Sequence, residues 1–146
     1  MTSSPVEHAP LAADALENVP DTALGRMYRQ HIGYIQAKDI EALLDQYADD
    51  ALLVSSFEKV PKVFRGREAL REHMQGILGI EGLRTDIAFW AETDAPQTLM
   101  IVEAIRMTAP DGSDVSMRFA DSWVLRDGRI AIHFAGMTQY PDGSVA

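Results

Sequence analysis

The chain has 146 residues, 47% of them apolar, with a net charge of −9 and no cysteine. That length suits one domain with a real core, and the composition excludes global disorder. The acidity disfavours a phosphate backbone as partner, the lack of thiols excludes disulfides and thiolate chemistry, and no apolar run approaches the roughly 18 residues of a membrane span, so a cytoplasmic protein with no nucleic-acid or membrane partner is expected.

Residues 1–20 are rich in Ala, Pro and Ser without a period and read as a flexible leader. Asp21-Thr22 read as the N-cap and first turn of a helix in which Leu24, Met27, Tyr28, His31, Ile32 and Ile35 recur at helical spacing. Asp39 caps a shorter helix through Ile40, Leu43, Leu44 and Tyr47, ended by Asp49-Asp50. Residues 51–57 form a short strand, and 58–65, with Pro61, a loop. Gly66 opens a third helix through Ala69, Leu70, His73, Met74, Ile77 and Leu78, with Gly79 near its end. Four long strands follow at 83–92, 98–108, 115–126 and 129–140, separated by turn signals at Asp94-Ala95-Pro96, Pro110-Asp111-Gly112-Ser113 and Asp127-Gly128. The order ααβαββββ argues an α+β domain over 21–140, with helices on one face of an antiparallel sheet and 141–146 as a short tail.

The most informative position is Asp121. Strand alternation puts Met117, Phe119, Asp121, Trp123 and Leu125 on one face, so a carboxylate sits in an otherwise apolar row. An isolated buried charge costs at least several kcal/mol, so this one must be neutralised, paired or used. Arg126-Asp127-Gly128 suits a three-residue hairpin loop with Gly128 left-handed, which sets Asp121 opposite His133. If Asp127-Gly128 alone make the turn, His133 moves to the opposite face. The preceding hairpin is expected to pair Arg106 with Arg118 and Glu103 with Asp121, with Leu99, Ile101, Glu103, Ile105 and Met107 inward. Two carboxylates on one buried face cannot both ionise cheaply, and such a pair is a natural acid/base device. Two alternatives stay open: Glu103 slips outward to pair with Arg106 or Arg118, or those four residues form a structural ion-pair lattice.

The segments Ala37-Lys38-Asp39-Ile40, Gln46-Tyr47-Ala48-Asp49-Asp50-Ala51, Phe64-Arg65-Gly66-Arg67-Glu68-Ala69-Leu70 and Trp123-Val124-Leu125-Arg126-Asp127-Gly128-Arg129-Ile130 carry a resemblance. Over residues 21–140 the chain resembles the cone-shaped domains of nuclear transport factor two, ketosteroid isomerase and the SnoaL-like bacterial polyketide cyclases. That fold hosts many activities, so function has to come from the site. The resemblance puts His31 where the isomerase has its oxyanion-binding tyrosine, and Asp121 where it has its protonated aspartate. It puts Ser55 where the isomerase keeps its general base. Since a serine hydroxyl is no base at neutral pH, catalysis would draw on Asp121, Glu103, His31 or His133, with His31 donating to an oxyanion. Polyketide cyclases, which resemble this chain without that first-strand carboxylate, suit it better. The epoxide hydrolase pattern lacks its arginine, since Ile101 stands two residues before Glu103.

Tyr28, Tyr34, Ser55, Phe57, Trp90, Met107, Phe119, Trp123 and Met137 are the candidate pocket walls, suited to a small hydrophobic molecule. His73 is expected at the surface, and His8 lies in the leader. No ligand spacing for a metal and no dinucleotide or phosphate loop occurs, so no cofactor is expected. The half-apolar outer sheet face, paired in similar proteins, points to a homodimer. Two functions are weighed: a cofactor-independent acid/base enzyme on a hydrophobic carbonyl compound (isomerase, cyclase or dehydratase type), and a non-catalytic module of the same fold that binds a hydrophobic ligand or dimerises.

Overall fold

The structure, a computed structural model, describes residues 16–57 and 60–140. Residues 1–15, with His8, and 141–146 lie outside them. Leu16 and Val19 pack into the core, so the packed unit begins before the expected boundary at residue 20.

Thr22 accepts a hydrogen bond from the Gly25 N–H at 3.0 Å and caps α1 (Ala23–Ala37). Lys38, in the left-handed region at φ 56°, ends that helix. Asp39 then accepts from the Ala42 N–H and caps α2 (Ile40–Asp45). This helix does not run through Tyr47 as expected. The Gln46 carbonyl accepts the Ile130 N–H at 2.8 Å, which draws the chain into the sheet, and Tyr47 begins β1 (Tyr47–Ser55). The expected 58–65 loop contains a further strand, β2 (Lys62–Arg65), paired antiparallel to β1. There follow α3 (Arg67–Leu78), β3 (Arg84–Asp94), β4 (Gln97–Thr108), β5 (Asp114–Arg126) and β6 (Arg129–Gln139).

The sheet order is β2-β1-β6-β5-β4-β3. The β3–β6 meander brings β6 back beside β1 in the same direction, so that one pairing is parallel and the sheet is mixed rather than wholly antiparallel. Three sites on β3 and β6, opposite Val102–Glu103, Arg118–Phe119 and Val124–Leu125, interrupt the antiparallel register. Such bulges bend strands, which lets six strands curl around a hollow.

Both hairpin registers differ from expectation. Arg126 pairs with Arg129, so Asp127-Gly128 form a two-residue turn, both residues at positive φ as that tight turn requires. Ala131 then bulges: Leu125 faces Ile130 but Val124 faces Ile132. The extra residue adds a second one-residue shift to that of the turn, so the total slip is two, which returns His133 to the inner face, opposite Trp123, while Asp121 pairs with Ala135. In the other hairpin Asp121 faces Ile101, Glu103 faces Phe119 and Arg106 faces Ser116. This is a slip of two residues from the expected pairing of Glu103 with Asp121 and Arg106 with Arg118. A two-residue slip preserves faces, so the inward sets survive and the carboxylates become diagonal neighbours.

The interior holds two apolar clusters. The larger joins α1, α2 and α3 to the sheet through Leu24, Tyr28, Leu43, Leu44, Leu53, Leu70, Met74, Leu99, Trp123 and Ile130. The smaller gathers Ile105, Met117, Phe119 and Met137 at the other end.

Candidate active site

Between these clusters lies a cavity of about 80 Å³. Its walls are largely aliphatic and aromatic: Ile32 and Ile35 from α1, Met74 and Ile77 from α3, Ile105 and Phe119 from the sheet. Of the expected site residues, His31, Glu103, Asp121, His133, Phe57, Met107 and Phe119 line it. Tyr28, Tyr34, Ser55, Trp90, Trp123 and Met137 do not. Ser55 is buried, and its Oγ accepts the Phe57 N–H at 3.4 Å.

The polar residues form a connected chain. Tyr47 Oη lies 2.9 Å from His133 Nδ1, and His133 Nε2 lies 2.9 Å from Asp121 Oδ1. Asp121 is in hydrogen-bonding contact with Glu103. Tyr28 donates to Glu103 Oε1 at 3.0 Å, and Thr85 reaches Oε2 at 3.5 Å. These partners leave no room for the ion-pair lattice or for an outward Glu103, because neither carboxylate meets an arginine.

Burial sets the protonation states. It raises the Asp121 carboxyl from 3.8 to about 7, opposed by its hydrogen bond to Glu103. Burial first, then the Asp121 charge, hold Glu103 well above the carboxylate range. Glu103 thus keeps its proton while Asp121 titrates near neutrality. Burial lowers His133 to about 3, and burial with the nearby His133 lowers His31 to about 3. Both imidazoles are neutral at pH 7. A neutral His133 can accept from protonated Asp121 or, as the other tautomer, donate to its carboxylate.

His31 does not match its expected role as an oxyanion donor. Its Nδ1 lies 3.0 Å from Gln46 Oε1, while Gln46 Nε2 donates to the Met27 carbonyl at 3.0 Å. A carbonyl only accepts, so the amide orientation is fixed and Nδ1 carries the proton. Nε2 of the neutral ring is therefore an acceptor.

His73, expected at the surface, lines the cavity from α3, its ring packed 4.8 Å from Phe64 and 6.3 Å from Phe57. Burial lowers it to about 4. The signal was its place in the apolar spacing, three after Leu70 and four before Ile77. Tyr47, read as a core position of the second helix, and Thr85 were not anticipated in the site. No group of three or more His, Asp or Glu among the described residues is arranged to hold a metal.

The sequence model of the SnoaL-like domain matches residues 28–133. The chain belongs to the SnoaL-like domain family. No curated protein matches it. Among solved structures, this SnoaL-like domain is similar to SalBIII, an epoxide hydrolase/cyclase-like enzyme in pyran ring formation of the polyether salinomycin (TM-score 0.66, 16% identity, 77% of this chain and 88% of that one). It is similar to RV0760c of Mycobacterium tuberculosis, solved with estradiol-17beta-hemisuccinate (0.66, 15%, 79% and 93%). It is also similar to TerC, co-crystallised with polyporic acid (0.64, 17%, 79% and 90%). At these identities the likeness is one of fold. No helix among the described residues is long and apolar enough to cross a membrane.

Proposed function

We propose that this SnoaL-like domain is a cofactor-independent acid/base enzyme acting on a small hydrophobic carbonyl compound, of isomerase, cyclase or dehydratase type. The observation that carries this is the Asp121–His133 hydrogen bond of 2.9 Å at the wall of an apolar cavity, backed by Glu103. Asp121, titrating at about 7, takes a proton from the carbon beside the carbonyl and returns it elsewhere. Protonated Glu103 stabilises the intervening carboxylate, and His133 follows the proton by exchanging tautomers between Asp121 and Tyr47. Structural neighbours whose names refer to a cyclase-like enzyme and to a steroid ester agree with a hydrophobic substrate. The test is hydrogen–deuterium exchange beside the carbonyl across a panel of enolisable hydrophobic ketones, followed by NMR. Wild type should exchange at least one, and Asp121→Asn should slow that exchange at least about a hundredfold. Wild-type exchange by Asp121→Asn defeats the proposal.

A second reading, a hydrophobic-ligand or dimerisation module without catalysis, draws on Ser55 at the position of the isomerase's base. It also draws on the outer sheet face, where Phe89, Phe134 and Met100 are 53%, 48% and 44% exposed. We propose that this face pairs two copies of the chain under either reading.

A further inference from the structure

We infer that the cavity selects an uncharged compound bearing a hydroxyl, which donates its hydrogen bond to Nε2 of His31. This rests on the cavity being the ligand site, and it reverses the hydrogen-bonding polarity assigned to His31 by resemblance to the isomerase.

Three observations lead there. First, the edge of His31 carrying Nδ1 is turned to Gln46, which lines a separate groove on the far side of α1 rather than this cavity. His31 lines the cavity and its Nδ1 is taken by Gln46, so Nε2, for which no hydrogen bond is recorded among the described residues, is the ring nitrogen left for an occupant. Second, the ring cannot rotate to offer a donor without breaking the Gln46 hydrogen bond and, through Gln46 Nε2, the one to the Met27 carbonyl. Trp123, at 4.9 Å between ring centroids, closes the other side. An acceptor held this firmly is satisfied by a hydroxyl and left unpaired by a carbonyl or an ether. Third, none of the described residues lining the cavity is Lys or Arg. Lys62 acts electrostatically on His73 and is not among those lining residues. Burial also favours protons on the two carboxyls and neutral imidazoles, so an anion would find no counter-charge inside.

The experiment uses the full chain and three probes of one shape: 2-naphthol, 2-methoxynaphthalene and 2-naphthoate at pH 8. Binding is read by isothermal titration, and His31 by nitrogen-detected NMR of the imidazole. The naphthol should bind roughly five- to tenfold more tightly than its methyl ether, the worth of one neutral hydrogen bond. The naphthoate should bind more weakly than either. On naphthol binding, the resonance of unprotonated His31 Nε2 should shift while Nδ1 stays protonated. His31→Leu should erase the preference for naphthol over the ether. Equal affinities for naphthol and ether, or a protonated Nε2 in the free protein, overturn this inference and leave the acid/base reading standing. Failure of all three probes to displace one another from the cavity would remove the ligand site itself, and this inference with it.

Discussion

Replacing Asp121 with asparagine should make the fold more resistant to alkaline pH while removing the group proposed to do the chemistry. Burial moves this carboxyl from 3.8 to about 7. Because the folded-state value is raised, the protonated form carries the stability. That contribution is complete below pH 3.8 and is lost as pH rises through about 7. From pH 5 to above 7, at 1.36 kcal/mol per pH unit, the loss amounts to about 2–3 kcal/mol. Asparagine has nearly the same shape and can donate to His133 Nε2 as the protonated acid does, but it has no proton to lose. The neutral histidines are common to both proteins, so most of their titration cancels in the comparison. The assay is urea unfolding followed by circular dichroism at pH 5 and pH 8.5. The stability difference should widen in favour of Asp121→Asn by about 2–3 kcal/mol between the two pH values, with an unchanged urea slope. A difference that stays constant or narrows would mean that Asp121 is not held protonated by its surroundings, and the acid/base argument would fail with it.

Tyr28→Phe removes the donor to Glu103 in a fully buried site and should cost about 1–3 kcal/mol in urea unfolding. Gly25→Ala should cost a further about 1–3 kcal/mol despite alanine's helix preference, because the added Cβ would stand 1.8 Å from the Pro20 carbonyl oxygen. His133, lowered to about 3, contributes stability that is present above pH 6.5 and lost as pH falls toward 3. His133→Phe should therefore lose about 2 kcal/mol less than wild type between pH 6 and pH 4, as measured by thermal unfolding. Phe134→Asp, on the exposed outer face, should turn a dimer into a monomer in sedimentation equilibrium. A monomeric wild type would count against the proposed face.

The helices and the long strands were legible because most are punctuated by residues with one physical use: Thr22 and Asp39 as caps, Asp127-Gly128 as a turn. The inward placement of Glu103, Asp121 and His133 was legible too, although two of the registers behind it were not. Faces repeat every two residues, so a slip of two in one hairpin left Glu103 inward. In the other, the Ala131 bulge and a turn one residue shorter than expected together made a slip of two. Nothing local marks Ala131 as a bulge, because it arises from the bending of the whole sheet. The early end of α2 and the parallel partner of β1 were equally out of reach, since both depend on Ile130, more than eighty residues away from Gln46. His31 was found, but its hydrogen-bonding role depends on Gln46 and the Met27 carbonyl, a contact that spacing does not reveal.

The division of the interior into two apolar groups has a practical consequence. An occupant of the space between them would touch Met74 and Ile32 on one side and Ile105 and Phe119 on the other, adding to the single link that Leu83, packed against both groups, makes among the described residues. Its binding would be read directly as resistance to melting, since a molecule that binds only the native chain raises stability with its concentration. A melting-temperature survey of uncharged aromatic alcohols and ketones therefore tests occupancy with no knowledge of the reaction.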